Sequence, residues 1–301
     1  MKLIEKIEKK VKCELKEWIE HPTRIDFHFH NNINDLESFI NETGSIGVRS
    51  IGQRFERLNT WYSQLFVYKS IFRDDVTDAI TMAANGYYTL YTEYFAAKGT
   101  TATHPKNPLD MPFDQAVYYL ANCLIQGWYD EGRTMLEIIN EGICGTFLGG
   151  GLDFRKTAWF ITELTNLAYG VDVECDTFEN YPEDMEWYDS ILYQWNTQDL
   201  ELVVKLVDEM CDNHLSEAKF ENDNTFYEFN HGYDFLYVYE ILTWLSLREY
   251  EGLENPSEFS HPLMKYAMNK LPKQKYTMPQ SYLFTGIINR FKAELGEQSI
   301  P

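Results

Sequence analysis

The stretch FDQAVYYLANCLIQGWYDEGRTMLEII, from Phe113 to Ile139, decides the fold. Phe113, Ala116, Val117, Leu120, Ala121, Leu124 and Ile125 recur in the i, i+3, i+4, i+7, i+8 pattern, which places apolar side chains on one face of an α-helix. Trp128-Tyr129-Asp130 interrupts the pattern, and Met135, Leu136, Ile138 and Ile139 resume it. A strand would alternate with period two, so the spacing predicts two helices joined by a short turn.

The same αα-hairpin recurs on either side. Upstream, Phe55, Leu58, Trp61, Tyr62, Leu65, Phe66 and Tyr68 form one stripe, Arg73-Asp74-Asp75 turns the chain, and Val76, Ala79, Ile80, Ala83 and Tyr87 return. Downstream, Trp187, Tyr188, Ile191, Leu192 and Trp195 lead through Thr197-Gln198-Asp199 to Leu202, Val203, Leu206, Val207 and Met210. Each turn holds an Asp, whose carboxylate accepts first-turn N–H groups and favours the positive end of the helix dipole. The hairpins are roughly 55 and 70 residues apart, too irregular for a tetratricopeptide or ankyrin array.

Leu3, Ile4, Ile7, Val11, Leu15, Trp18 and Ile19 predict an amphipathic first helix that stops at His21-Pro22. From Asp26 to Gly52 the asparagines Asn31, Asn32 and Asn34 and the glycines Gly44, Gly47 and Gly52 break the pattern. Irregular chain is expected there, with a short helix over Leu36 to Ile40. Further helices are expected at Arg155 to Tyr169, Asp234 to Glu249, His261 to Lys270 and Met278 to Leu295. The expected fold is all-α: about ten helices arranged as antiparallel αα-hairpins in one continuous bundle. It forms a single domain over 1–301, with possible halves 1–150 and 151–301.

The 301 residues include 26 Lys plus Arg and 47 Asp plus Glu, a formal charge of −21, which disfavours a nucleic-acid or anionic-membrane partner. Aromatic residues make up 16% of the chain, enough to build a large core and to exclude the disordered class. No stretch approaches the roughly 18 apolar residues of a membrane span, and Met1 to Glu20 lacks the apolar run of a signal peptide. A cytoplasmic location is therefore expected. The five cysteines, Cys13, Cys123, Cys144, Cys175 and Cys211, form no CxxC pair and suggest reduced thiols, mostly buried.

Motifs of catalysis are few. His28 and His30, two apart, would point the same way on an extended segment, and with Asp26 they outline a metal site if distant residues converge. Without such partners they are hydrogen-bonding groups that fix an irregular segment. Gly149-Gly150-Gly151 lacks the GxxxxGK[ST] pattern, and Arg155-Lys156 fall on a helix outside a strand-to-helix turn, so no phosphate loop is expected. There is no GxSxG elbow, and Cys211 with His214 reads as a helix end without a third orienting group.

Charge distribution says more. From Thr157 to Val204 there is no Lys or Arg, whereas the segment holds eleven carboxylates, eight of them between Asp172 and Asp189. A second acidic and aromatic segment follows, with Glu221, Asp223, Phe226, Tyr227, Glu228, Phe229, Tyr233 and Asp234. Like charge at this density costs stability by self-repulsion, but it speeds encounter with a basic partner and complements its surface. The plainer alternatives are solvated loops that promote solubility and a calcium site, although no loop-ligand pattern is present.

The C-terminal half carries a resemblance. Trp187-Tyr188-Asp189, the helix from Asp199 to Met210 ending at His214, the run from Tyr233 to Arg248, His261-Pro262-Leu263-Met264 and Leu271-Pro272 resemble the helical immunity proteins of bacterial polymorphic-toxin systems. The PoNi-type proteins, which protect against PoNe-type DNases, are the most similar. Tyr62-Ser63-Gln64 to Asp75 and the Asp114 to Asp130 helix and turn extend the likeness more loosely.

The resemblance implies a cytoplasmic, non-enzymatic protein without cofactor or metal that binds a basic toxin domain, a DNase, and blocks it stoichiometrically. An acidic surface would match a toxin face built to hold phosphates. The residues assigned to it are Asp172, Glu174, Asp176, Glu179, Glu183, Asp184 and Glu186 for steering and rim pairing, with Tyr181, Trp187 and Tyr227 as aromatic anchors. The competing expectation is a metal-dependent hydrolase with its site inside the bundle, using Asp26, His28 and His30.

Overall fold

The first helix, α1 (Lys2–Glu20), buries Ile4, Ile7, Val11 and Leu15 on one face. In this computed structural model, which describes residues 2–101, 103–104, 109–145, 147–149, 155–173, 181–220 and 226–300, Pro22 ends α1 and opens α2 (Pro22–Ile25). Proline suits a first helical turn because its missing N–H has no intrahelical role there. The chain then continues through a π-helical turn, Asp26–His30, into α3 (Asn31–Ile40). The asparagines do not break the helix, contrary to expectation. Asn32 is buried and its amide donates to the Phe27 carbonyl at 2.7 Å, supplying a bond within the widened turn.

The upstream hairpin is α4 (Ile51–Arg73) and α5 (Ala79–Thr100). Asp74 closes α4 in the left-handed region, and Asp75 Oδ1 accepts the Thr77 N–H at 3.0 Å. The next hairpin is α6 (Phe113–Ile125) and α7 (Tyr129–Cys144). Gly127, with φ +76°, lets its N–H reach Leu124 O and the Trp128 N–H reach Cys123 O, a Schellman closure. At Gly86 a Cβ would lie 2.9 Å from the Tyr119 ring, so glycine is what lets α5 pack closely on α6. Met111–Pro112 (β1) pairs in parallel with Leu148–Gly149 (β2), a minimal clip across the ends of this hairpin.

Helix α8 (Lys156–Tyr169) packs on α6, and the third hairpin is α9 (Trp187–Gln194) with α10 (Leu200–Glu217). Here the Asp reading holds in full: Asp199 Oδ1 accepts the N–H groups of Glu201 and Leu202. Helix α11 (Tyr239–Tyr250) lies against both α6 and α8, and α12 (Tyr282–Leu295) against α3 and α5. The buried core runs without division from Ile4 to Phe291, and the fold is an all-α bundle. Among the described residues, no helix is long and apolar enough to cross a membrane.

Two expected helices are shorter or replaced. Asp234 accepts the His231 N–H at 3.1 Å and Val238 N–H goes to Asn269 Oδ1, so α11 begins only at Tyr239. His261 to Lys270 forms two 3₁₀ turns, Pro262–Lys265 and Ala267–Asn269, separated by extended Tyr266. Asn269 holds this segment by donating to the Leu236 and Leu263 carbonyls, competing with helical pairing.

Candidate binding surface and cleft

The start of α8 organises the charged groups. Glu228 caps it from a distant segment: its carboxylate accepts the N–H of Lys156 at 2.9 Å and of Thr157 at 3.3 Å. Burial raises the Glu228 pKa, partly offset by these bonds. Arg155, just before the helix, pairs with Asp114 at 2.8 Å, donates to the Tyr227 carbonyl at 3.3 Å and stacks on Phe226 at 4.0 Å. Lys156 pairs with Glu186 at 2.7 Å. The two acidic segments read from the sequence therefore meet at one helix end.

From there the first segment follows α8. Tyr181 is half-buried on Trp159, with ring centres 5.1 Å apart, and its hydroxyl donates to Glu163 on α8. Burial first, then the Glu163 carboxylate, raises the Tyr181 pKa, and burial raises that of Glu163. Asp172 lies beyond the other end of α8, about 20 Å along the axis at 1.5 Å per residue. The acids thus line a ridge rather than a point.

Asp172, Glu183 and Asp184 are exposed and have no cation within 4 Å among the described residues; Asp184 Oδ1 accepts the Glu186 N–H at 2.6 Å. Trp187 and Tyr181 pack partly on the core, which covers much of the area an anchor would offer. Tyr227 is half-buried, with the Lys219 ammonium 4.8 Å above its ring. Glu174, Asp176 and Glu179 lie outside the described residues.

A cleft of about 470 Å³ opens beside this helix end, between α4, α6, α8 and the 226–239 segment. Its carboxylates are Glu56, Asp114, Glu228 and Asp234, facing Arg155 and His231. Asp234 is buried and its pKa is driven well up by burial, against the lowering effect of the His231 N–H and of Arg155. Tyr118, Tyr119, Tyr233 and Tyr239 contribute aromatic walls, and Gln115 bridges Tyr119 at 2.8 Å and Glu56 at 3.1 Å. Sequence reading assigns no site role to Glu56, Gln64, Asp114 or Arg155. They come from α4, α6 and the residue before α8, with no local pattern to mark them.

The Asp26-His28-His30 group forms differently from expectation. On a π-helical turn, residues two apart diverge, whereas an extended segment would align them. The His28 ring packs 4.9 Å from that of Trp18, and burial, with Arg24 and Arg57 nearby, lowers its pKa to about 4. No group of three or more His, Cys, Asp or Glu side chains arranged to hold a metal occurs among the described residues.

Cys211 and His214 are both buried on α10, but His214 is engaged elsewhere. Its Nδ1 lies 2.9 Å from Glu240 Oε1 and its Nε2 3.0 Å from the Asp234 carbonyl. The carbonyl can only accept, so Nε2 donates, and Nδ1 and Oε1 share one further proton. Comparison of the chain with protein families, with curated proteins and with solved structures finds no match.

Proposed function

We propose that the chain is an immunity protein that neutralises a basic toxin domain, a DNase, by stoichiometric association in the cytoplasm of the cell that makes both. The observation that carries this reading is the ridge along α8. Its exposed acids Asp172, Glu183 and Asp184 lack intramolecular cations among the described residues, while the cations at the helix start are already engaged by Asp114 and Glu186. Such surplus negative charge favours a cationic surface and raises its encounter rate. It also supports inhibition by covering a phosphate-binding face, because a DNA-cleaving domain must present positive charge to its substrate. The resemblance in the α9 to α11 region points to the same role.

The test is coexpression with the product of the adjacent gene, immunity genes being placed beside their toxins. The wild-type chain should protect the cells and copurify with that product. A triple variant, Asp172→Lys, Glu183→Lys and Asp184→Lys, should associate more slowly, with a flatter dependence on ionic strength. Failure of the wild type both to protect and to bind would remove the proposal.

A further inference from the structure

We infer that the cleft beside the start of α8 is a seat for an arginine side chain of the protein partner, an inference that rests on the toxin-neutralising reading. The acidic cluster alone would not carry it. The second observation is Gln64, which lines the cleft, is 8% exposed and makes no hydrogen bond to any described residue. Tyr239 lines the same cleft, and its hydroxyl likewise has no hydrogen-bond partner among the described residues. Neither the Gln64 amide nor the Tyr239 hydroxyl is sealed from the cleft, so both stay open to hydrogen-bond a group that enters it.

The wall chemistry selects the ligand. Four acidic side chains line the cleft against one guanidinium; Glu228 and Asp234 are already held by backbone N–H groups, and burial drives Asp234 toward its neutral form. Asp114 is taken up by the Gln115 N–H and Arg155, which leaves Glu56, bonded to Gln115 through Oε1 alone, to face an incoming charge. A bare metal ion fits poorly, since no metal-holding group forms among the described residues and much of the lining is tyrosine. An organic cation instead gains from aromatic faces and carboxylates together. Arginine is preferred to lysine because its planar fork of five donors matches acceptors spread over several walls, here Glu56, Gln64 Oε1 and Tyr239 Oη. The volume lies within the usual range for a ligand pocket.

The test uses the full chain and the tripeptide acetyl-Gly-Arg-Gly-amide, with its citrulline counterpart as a neutral isostere. The reporter is the Gln64 side-chain amide resonance, assigned by its loss in Gln64→Leu. The arginine peptide should move that resonance saturably and the citrulline peptide should leave it in place. Glu56→Gln, which keeps size and shape, should weaken the arginine peptide about fivefold, the worth of one exposed charge contact. Thermal melts confirm that each variant folds, and if Gln64→Leu does not, the Glu56→Gln comparison decides.

A resonance unmoved by the arginine peptide, or moved equally by both peptides, overturns the seat. If it is unmoved while the wild-type chain still neutralises its toxin, the seat falls and the neutralising function stands. If the peptide seats but the chain protects against no neighbouring product, the opposite holds.

Discussion

Arg248 and Arg155 are both largely removed from water, and the difference between their surroundings separates structure from function in this molecule. Arg248 is 0% exposed and donates to the carbonyls of Trp195, Thr197 and Glu254 and to Asn255 Oδ1, at 2.7 to 3.1 Å. It ties the α9–α10 turn and the chain after α11 to one point, and Trp244 adds a bond from Nε1 to the same Trp195 carbonyl. No ligand cleft adjoins it among the cavities described. Arg155 instead lines a cleft, offset by Asp114 and sharing the lining with Glu56, Glu228 and Asp234, the last held toward its neutral form by burial. A charge enclosed by matched acceptors holds the fold, whereas one outnumbered by opposite charge leaves a field directed at solvent.

The largest expected effect breaks the enclosed member of this pair. Arg248→Leu leaves the Thr197 and Glu254 carbonyls and Asn255 Oδ1 without their donor, while the Trp195 carbonyl keeps its bond from Trp244, and at about 1–3 kcal/mol for each unmet group the loss should reach about 4 kcal/mol. A urea midpoint close to wild type would show that the α9–α10 turn is held by other contacts. Arg155→Leu should cost less, about 2 kcal/mol, because its pairing with Asp114, its stacking on Phe226 and two long carbonyl contacts are lost at a partly wet site. The same substitution should tighten the arginine peptide by removing the resident competing charge. Weaker peptide binding in folded Arg155→Leu would mean that the guanidinium shapes the cleft rather than repelling its ligand.

How much of this contrast is legible in the sequence follows from how local its causes are. The hairpin helices are legible because apolar spacing is set within one or two turns, and Asp199 is legible as a cap because donor and acceptor lie two and three residues apart. The π-turn is hidden because Asn32 reads as a loop former until its amide is seen to bond Phe27. The 3₁₀ turns before Leu271 are hidden because Asn269 takes its partners from Leu236 and Leu263. The cleft is the least visible. Glu56 and Asp234 are separated by 178 residues and meet only because α4, α6 and α8 pack together. Arg155 is legible as a helix-flanking cation, but its carboxylate partner Asp114 is not.

A third, smaller effect sharpens the comparison through pH. Glu93 reaches across to the first turn of α4, accepts the Gln53 N–H and occupies space that only Gly52 leaves free. Burial first, then neighbouring Glu56, raises its pKa to about 7, with Arg49 and the Gln53 bond opposing. Because the folded state holds this proton more tightly than the unfolded chain, the contribution is full below about pH 4.5 and is lost as pH rises toward 7. Glu93→Gln fixes the neutral form, so it should raise stability at pH 8 by on the order of 1 kcal/mol and leave it nearly unchanged at pH 4.5. Melting curves at the two pH values measure this, and equal shifts at both would assign the effect to packing instead of charge.

The smallest expected change in stability is the one that carries the functional claim. Asp172, Glu183 and Asp184 are exposed and have no cation beside them among the described residues, so reversing all three to Lys removes no ion pair found there and gives up only the bond from the Glu186 N–H to Asp184 Oδ1. Surface changes of this kind usually fall within about 0.5 kcal/mol, and relief of repulsion in a chain of formal charge −21 tilts the sign toward stabilisation. Unchanged melting with slowed association would therefore isolate the field of the α8 ridge from its scaffold. If melting falls as association slows, the acids belong with Arg248, as parts of the structure. If melting and association are both unchanged, the proposed partner is met elsewhere, and the cleft must be tested without the ridge as its guide.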